Sequence, residues 1–121
     1  MVRAPLERWT VGRVTLLGDA AHSMLPMLAQ GAIMAIEDGF ILARCLAEFG
    51  VEEALQRYER ARIERTRRTV EGSAANIQRF HNPVLADPEE GRKFIDREWA
   101  SQRISDRYDW LFRYDATTVA I

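Results

Sequence analysis

Two groups of residues in this chain have types and spacing that could do chemistry. The first is Asp19, which follows Gly18 at the end of the run Arg13-Val-Thr-Leu-Leu17. A glycine there lets the backbone turn tightly and approach a ligand. A carboxylate at the carboxyl end of a buried strand stands where open α/β sheets bind ligands, and it can accept hydrogen bonds from the hydroxyls of a polyol or ribose. The small Ala20 and Ala21 leave room for close contact. The second group is Pro26, in a loop, and Gln30-Gly31-Ala32, at the mouth of a long apolar helix. Gly31 lets backbone N–H groups and the positive helix end face an electron-rich ligand edge.

The remaining reactive residues read more plainly. His22 invites a general-base role, but a structural histidine bonded to nearby backbone is the simpler reading. His81 lies 59 residues further on, so the two do not make a metal pair, and no metal site is expected. Glu37 and Asp38 are adjacent on a helix and diverge by about 100°, so they are expected to pair with arginines on the helix surface rather than act together. Residues 57–68 hold six arginines and two glutamates. They are expected to form a solvated helix with Glu59–Arg62 and Glu64–Arg68 pairs. No aromatic interleaving supports base stacking, so no nucleic-acid partner is expected. No catalytic residue is assigned.

The elements that must position these groups follow from periodicity. Residues 1–12 read as an extended lead-in, and 13–17 as a strand whose nearly continuous apolar residues suit cover on both faces. Asp19–His22 can begin a helical turn with Asp19 as N-cap. From Ala29 to Phe49 the spacing is helical. Ala32, Ile33, Ile36, Phe40, Ala43 and Ala47 make one stripe and Leu42, Leu46 and Phe49 a second, so this helix is expected to be buried on most sides, with Cys45 an inert small apolar residue. A long polar helix is expected over 51–82, stopped by Asn82-Pro83, and a third over 88–107. Trp99, Trp110 and Phe112 are expected in the core.

Composition sets the outer bounds. The chain has 121 residues, 47% apolar, with 17 basic and 18 acidic side chains and a formal net charge of -1. That suits one compact domain and gives no global field for nucleic acid or an acidic membrane. The single cysteine excludes an internal disulfide framework and suits a cytoplasmic setting. Apolar stretches are interrupted well short of the roughly 20 residues a membrane span needs.

The run Gly18-Asp19-Ala20-Ala21-His22, with Pro26, Gln30-Gly31 and Glu37-Asp38, resembles the second FAD-binding motif of class A flavoprotein aromatic monooxygenases, in particular salicylate-hydroxylase-like members. Trp9-x-x-Gly12-Arg13 and Trp110-Leu-Phe-Arg-Tyr114-Asp115 are similar to that family too, so the likeness spans most of the chain as the family's C-terminal third. The resemblance implies that NAD(P)H reduces FAD and that the reduced flavin uses O2 to hydroxylate an aromatic ring. It implies that Gly18 and Asp19 hold the ribityl chain, that Pro26 sits beside the isoalloxazine, and that Gln30, Gly31 and Ala32 present backbone to its pyrimidine edge. Ala29 and Ile33 stand where many relatives have glycine and asparagine.

The family also opens with Gly-x-Gly-x-x-Gly. The glycines here, at 12, 18, 31, 39, 50, 72 and 91, make no such spacing. The expectation is therefore a single partial domain over 1–121: mainly α, with one short strand at about 13–17 and three or four helices, cut from a family fold that is α/β when complete. Such a fragment is not expected to be active by itself. It is expected to form homo-oligomers, because the 29–49 helix exposes too much apolar surface alone. The alternative is a stand-alone, non-catalytic helical protein that self-associates.

Overall fold

A computed structural model describes residues 4–121. The chain is mainly helical. A two-stranded antiparallel sheet, β1 (Thr10–Val11) and β2 (Val14–Thr15), precedes a short helix α1 (Asp19–His22), a 3-10 turn (Pro26–Leu28), and the long helices α2 (Gly31–Glu48) and α3 (Val51–Phe80). A second 3-10 turn (Pro83–Ala86) leads to α4 (Pro88–Glu98) and α5 (Ser101–Phe112). Two compact units form: one runs to Asn76 and takes in Asp115–Ile121, the other is Ile77–Tyr114.

The expected strand is present as β2, and its pairing partner lies in the segment read as lead-in. Thr10 faces Thr15 and Val11 faces Val14. Gly12 takes φ 57 at the first of the two turn residues, the position where a II′ hairpin turn needs glycine. Arg13 is spent on the turn, and Leu16 continues the pairing by donating its N–H to the Trp9 carbonyl at 3.1 Å. The hairpin is tied to α3. Glu59 accepts the N–H groups of Trp9 (3.0 Å) and Thr10 (2.6 Å), and the Thr10 hydroxyl donates to the Leu55 carbonyl at 3.3 Å.

The core of this first unit is Trp9, Ala21, Ile41, Cys45, Ala54 and Tyr58. Trp9 packs against both His22 and Tyr58, with ring centroids 5.6 and 5.8 Å apart. Burial pushes the Cys45 thiol pKa up, in keeping with an inert side chain. The last residues return to this core. Arg44 donates to the carbonyls of Ala116 (2.7 Å) and Val119 (3.0 Å), and Arg57 donates to the Ile121 carbonyl at 3.1 Å.

Helix α2 differs from expectation in which face is inward. Met34, Asp38, Ile41 and Cys45, spaced four, three and four apart, are its buried residues. Most of the apolar stripe marked out by the sequence is instead exposed, with Ile36 at 69% and Ile33 and Phe40 also open. The buried face carries a carboxylate, so hydrophobicity alone points away from it. The reason it faces inward is the ion pair described below.

In the second unit, the helix expected over 88–107 is two. Trp99 closes α4 and Ala100 is extended (φ -55, ψ 136) before α5 starts. Side chains hold the break. Glu98 pairs with Arg103 (3.2 Å) and Arg107 (2.9 Å) from beyond it. Trp99 stacks near Phe80 and Phe94, at 6.1 and 6.5 Å between centroids. Periodicity cannot register such contacts. Of the aromatics expected in the core, Trp99 is exposed and Phe112 is 75% exposed; Leu111 is the buried residue of that segment.

At the start of α4, Asp87 accepts the N–H groups of Glu89 (2.9 Å) and Glu90 (2.8 Å), and Pro88 fills the first helical position. This is the N-terminal arrangement that satisfies orphan donors without wasting one. Asp87→Ala is expected to destabilise the protein by about 1 kcal/mol, with Asp87→Asn much milder. Amide exchange along α4 measures it, and equal protection in wild type and Asp87→Ala would count against the cap.

Candidate functional site

A cleft of about 310 Å3 is lined by Asp19, Met24, Leu25, Pro26, Ala29, Gly31 and Ala32. It lies between the turn that ends the hairpin segment and the first turn of α2. Four of the six residues singled out in the sequence, Asp19, Pro26, Gly31 and Ala32, stand on its wall. Gly18 is buried beneath the turn, and Gln30 is the half-buried N-cap of α2 without a side-chain capping bond. The helical turn at Asp19 has Gly18 as its N-cap, not Asp19. The Gly18 carbonyl accepts from Ala21 (2.9 Å) and His22 (3.0 Å), which leaves the Asp19 carboxylate uncommitted to capping and exposed.

Each wall has a local cause. Gly18 adopts φ 60, ψ -139, a region costly for any residue with a Cβ, and an added Cβ would sit 3.3 Å from Ala35 Cβ. Helix α2 therefore packs closely against this turn. A Cβ at Gly31 would lie 3.9 Å from Asp19 Oδ1 and 3.9 Å from Met24 Cγ, which puts the helix mouth beside the carboxylate. The first N–H groups of α2 have no intrahelical partner, and no side chain caps them. The Pro26–Leu28 turn is tethered to α3. Ser73 Oγ donates to the Leu25 carbonyl, and Asn76 Nδ2 donates to the Met27 carbonyl at 3.2 Å.

Beneath the cleft lies a polar network that the sequence reading underrated. Asp38 is fully buried. Its Oδ2 accepts the Gly18 N–H at 3.0 Å and His22 Nε2 at 2.5 Å; its Oδ1 accepts Arg62 Nε at 2.7 Å. Arg62, also fully buried, pairs through Nη1 with Glu37 Oε2 at 2.7 Å, and Arg65 holds Glu37 in a two-pronged contact at 2.7 Å on each arm. Glu37 and Asp38 do meet arginines, as expected, but Asp38 does so in the interior. The two share Arg62, although their side chains leave the helix in different directions. His22 is buried, and its partner is a carboxylate rather than the expected backbone. Of the arginine-rich stretch, Arg62 is interior rather than solvated, and Glu59 is engaged by Trp9 and Thr10 N–H groups.

The electrostatics follow from these contacts. Burial alone would raise the Asp38 pKa. The hydrogen bonds from His22 and Arg62, and the guanidinium charge, outweigh it and hold the carboxyl below its ordinary 3.8. Burial, reinforced by the Asp38 charge, pushes the Tyr58 phenol well above its ordinary value, so it stays neutral and donates to the Leu16 carbonyl at 3.2 Å. One signal could have revealed Asp38 from sequence: it shares a helical face with Met34, Ile41 and Cys45, and a lone charge on such a face needs a buried partner.

The family model described as an FAD binding domain matches residues 2–73, and the chain belongs to that family. It is 40% identical over 122 residues to the 6-hydroxynicotinate 3-monooxygenase of Pseudomonas fluorescens, covering 98% of this chain and 26% of that protein. It is 40% identical over 113 residues to a 3-amino-4-hydroxybenzoate 2-monooxygenase of Streptomyces platensis, covering 92% and 28%. It is 50% identical over 118 residues to 3-hydroxybenzoate 6-hydroxylase 2 of Aquipseudomonas alcaligenes, covering 93% and 35%. The chain thus spans about a quarter to a third of the length of these curated relatives. The donors present suit a flavin. An exposed carboxylate and an uncapped helix mouth stand on one cleft, and the lining is otherwise apolar. The cleft is at the small end of the roughly 300–1,000 Å3 typical of ligand pockets, a size for part of a dinucleotide and not the whole.

Two outcomes are expected. Removing the guanidinium with Arg62→Met leaves the buried Asp38 carboxylate without its cation, and should cost about 3–5 kcal/mol in urea unfolding; a loss under 1 kcal/mol would show the pair to be dispensable. The depressed Asp38 pKa fixes the sign of the acid limb. Its stabilisation is complete above 3.8 and is lost as pH falls below that, through the folded value. Asp38→Asn should therefore flatten the decline of the unfolding midpoint in acid, and an unchanged slope would contradict the assignment.

Proposed function

We propose that this chain is the C-terminal, flavin-gripping part of an FAD-dependent monooxygenase that hydroxylates an aromatic substrate with NAD(P)H and O2, a single partial domain of a cytoplasmic enzyme. The carrying observation is the convergence of Asp19 and the mouth of α2 on one cleft, with Asp19 Oδ1 only 3.9 Å from where a Gly31 side chain would begin. Family membership and the activities of the relatives, each a monooxygenase or hydroxylase acting on a substituted aromatic ring, support the same reading.

FAD, when bound, supplies hydride acceptance and oxygen activation. The protein's own part is binding and polarisation. The Asp19 carboxylate accepts hydrogen bonds from ribityl hydroxyls, and Gly18 lets the backbone turn to place it. The backbone of Gln30, Gly31 and Ala32 would face the pyrimidine edge of the flavin, where N–H dipoles would favour the reduced form. Pro26 would form the apolar wall beside the ring. Among the described residues, the cleft lining includes no arginine, lysine or histidine. Without a Gly-x-Gly-x-x-Gly loop in the 121 residues, turnover by this chain alone is not expected. No nucleic-acid or metal role is proposed, and among the described residues no helix is long and apolar enough to cross a membrane.

A second reading, a non-catalytic helical protein that self-associates, draws on the exposed Ile33, Ile36 and Phe40 of α2, an apolar stripe of the kind that marks interaction sites. Titrating the purified chain with FAD separates the two. Quenching of flavin fluorescence that saturates near one per chain, weakened about tenfold by Asp19→Ala, is expected. Absence of binding, with sedimentation showing a homo-oligomer, would favour the second reading.

A further inference from the structure

We infer that Asp38 is a positioning residue for the cleft: its buried carboxylate sets where the Asp19 carboxylate stands. This rests on the flavin reading above and extends it to a residue that does not line the cleft. Asp38 Oδ2 receives the Gly18 N–H at 3.0 Å and His22 Nε2 at 2.5 Å. These donors lie immediately before and three residues after Asp19, so one oxygen grips both ends of the turn that carries it. Oδ1 is held by Arg62 Nε at 2.7 Å, which fixes the rotamer from α3. The geometry closes on α2 itself. The first turn of that helix, at Gly31 and Ala32, is the opposite wall of the cleft, and Asp38 stands two turns further along it. A single rigid helix therefore forms one wall and holds the other at a set separation.

The Gly18 conformation makes this grip specific. At φ 60, ψ -139 its N–H turns inward to a carboxylate instead of to a strand partner, and Ala35 of α2 packs against the turn, 3.3 Å from where a Gly18 side chain would begin. Buried polar groups need partners, and Asp38 is the acceptor for this one. Arg62 in turn depends on Asp38 and Glu37 for charge balance, so the grip cannot relax without exposing an interior charge. The cleft edge thus inherits the rigidity of the α2–α3 pair, although Asp19 itself is exposed.

The test uses two probes, riboflavin and lumiflavin, which share the ring but differ in the ribityl hydroxyls, on the full 121-residue chain and two variants. Wild type should prefer riboflavin about tenfold, the value of hydrogen bonds to a charged group. In Asp38→Asn the preference should fall to about twofold or less, with lumiflavin affinity unchanged. His22→Asn leaves the Asp38–Arg62 pair intact and should lower the preference at least threefold, which keeps the test decisive if Asp38→Asn does not fold. An undiminished preference in His22→Asn or in folded Asp38→Asn overturns the inference. So does parallel loss of both probes in a folded variant, which would mean general collapse of the cleft.

A ligand-free arm separates this from the flavin reading. Wild type should show a protected Gly18 amide and a nuclear Overhauser contact between Asp19 and Gly31 protons. Both should weaken in the variants while Trp9–Tyr58 ring contacts persist. If wild type binds neither flavin, the proposed function fails, and this arm alone decides the positioning role: retention of both signals in the variants overturns it, and their selective loss sustains it.

Discussion

A buried carboxylate needs more than one partner, and Asp38 obtains three, two from the Gly18–His22 turn and one from α3. Its interior position would raise its pKa and favour the neutral form; the Gly18 amide, the His22 imidazole and the Arg62 guanidinium keep it charged. Taking a carboxylate and a guanidinium out of water costs several kcal/mol for each ion before any attraction is counted. The network is therefore better understood as a specificity device than as a source of net stability. Among ways of docking α2 on α3, it selects the one that brings Asp38 against Arg62. That choice rotates the stripe containing Ile33, Ile36 and Phe40 outward.

The cleft depends on this rotation. With Asp38 inward, Gly31 and Ala32 at the start of α2 face the turn at Gly18 and Asp19. The other rim is secured separately, by Ser73 and Asn76 of α3 holding the carbonyls of Leu25 and Met27. Helix α3 thus anchors the hairpin through Glu59 and Leu55, the carboxylate network through Arg62, and the proline-containing rim through Ser73 and Asn76. A helix read from composition as a polar, solvated rod is the common support of every segment around the cleft. Its Glu59, Arg62 and Arg65 are spent on neighbouring segments.

Ala29 adds a smaller point about the rim. It takes φ 52, ψ 34, the left-handed region that costs a residue with a Cβ about 1–2 kcal/mol, and its N–H closes the 3-10 turn on the Pro26 carbonyl at 3.2 Å. The chain tolerates this in order to bring Pro26 and the helix mouth to one cleft within a few residues. The sequence resemblance marks the same position as a departure from glycine, and the backbone explains why glycine would suit it.

Much of this was legible in the amino-acid order. The glycine before Asp19, the loop proline and the small residues at the helix mouth are local signals, since backbone freedom and helix ends are properties of a few consecutive residues. They sufficed to name most of the cleft wall and the family. The limits of α2 and α3 were likewise legible, because a helical period repeats over many residues. What sequence could not decide was orientation and partnership. The inward face of α2, the link from Glu37 and Asp38 to a shared Arg62, the pairing of Thr10–Val11 with Val14–Thr15, and the break at Trp99–Ala100 all depend on groups from distant segments meeting in space. Local pattern records how apolar a face is. Which face turns inward is settled only when a buried charge must find its partners, and that is a property of the packed tertiary structure.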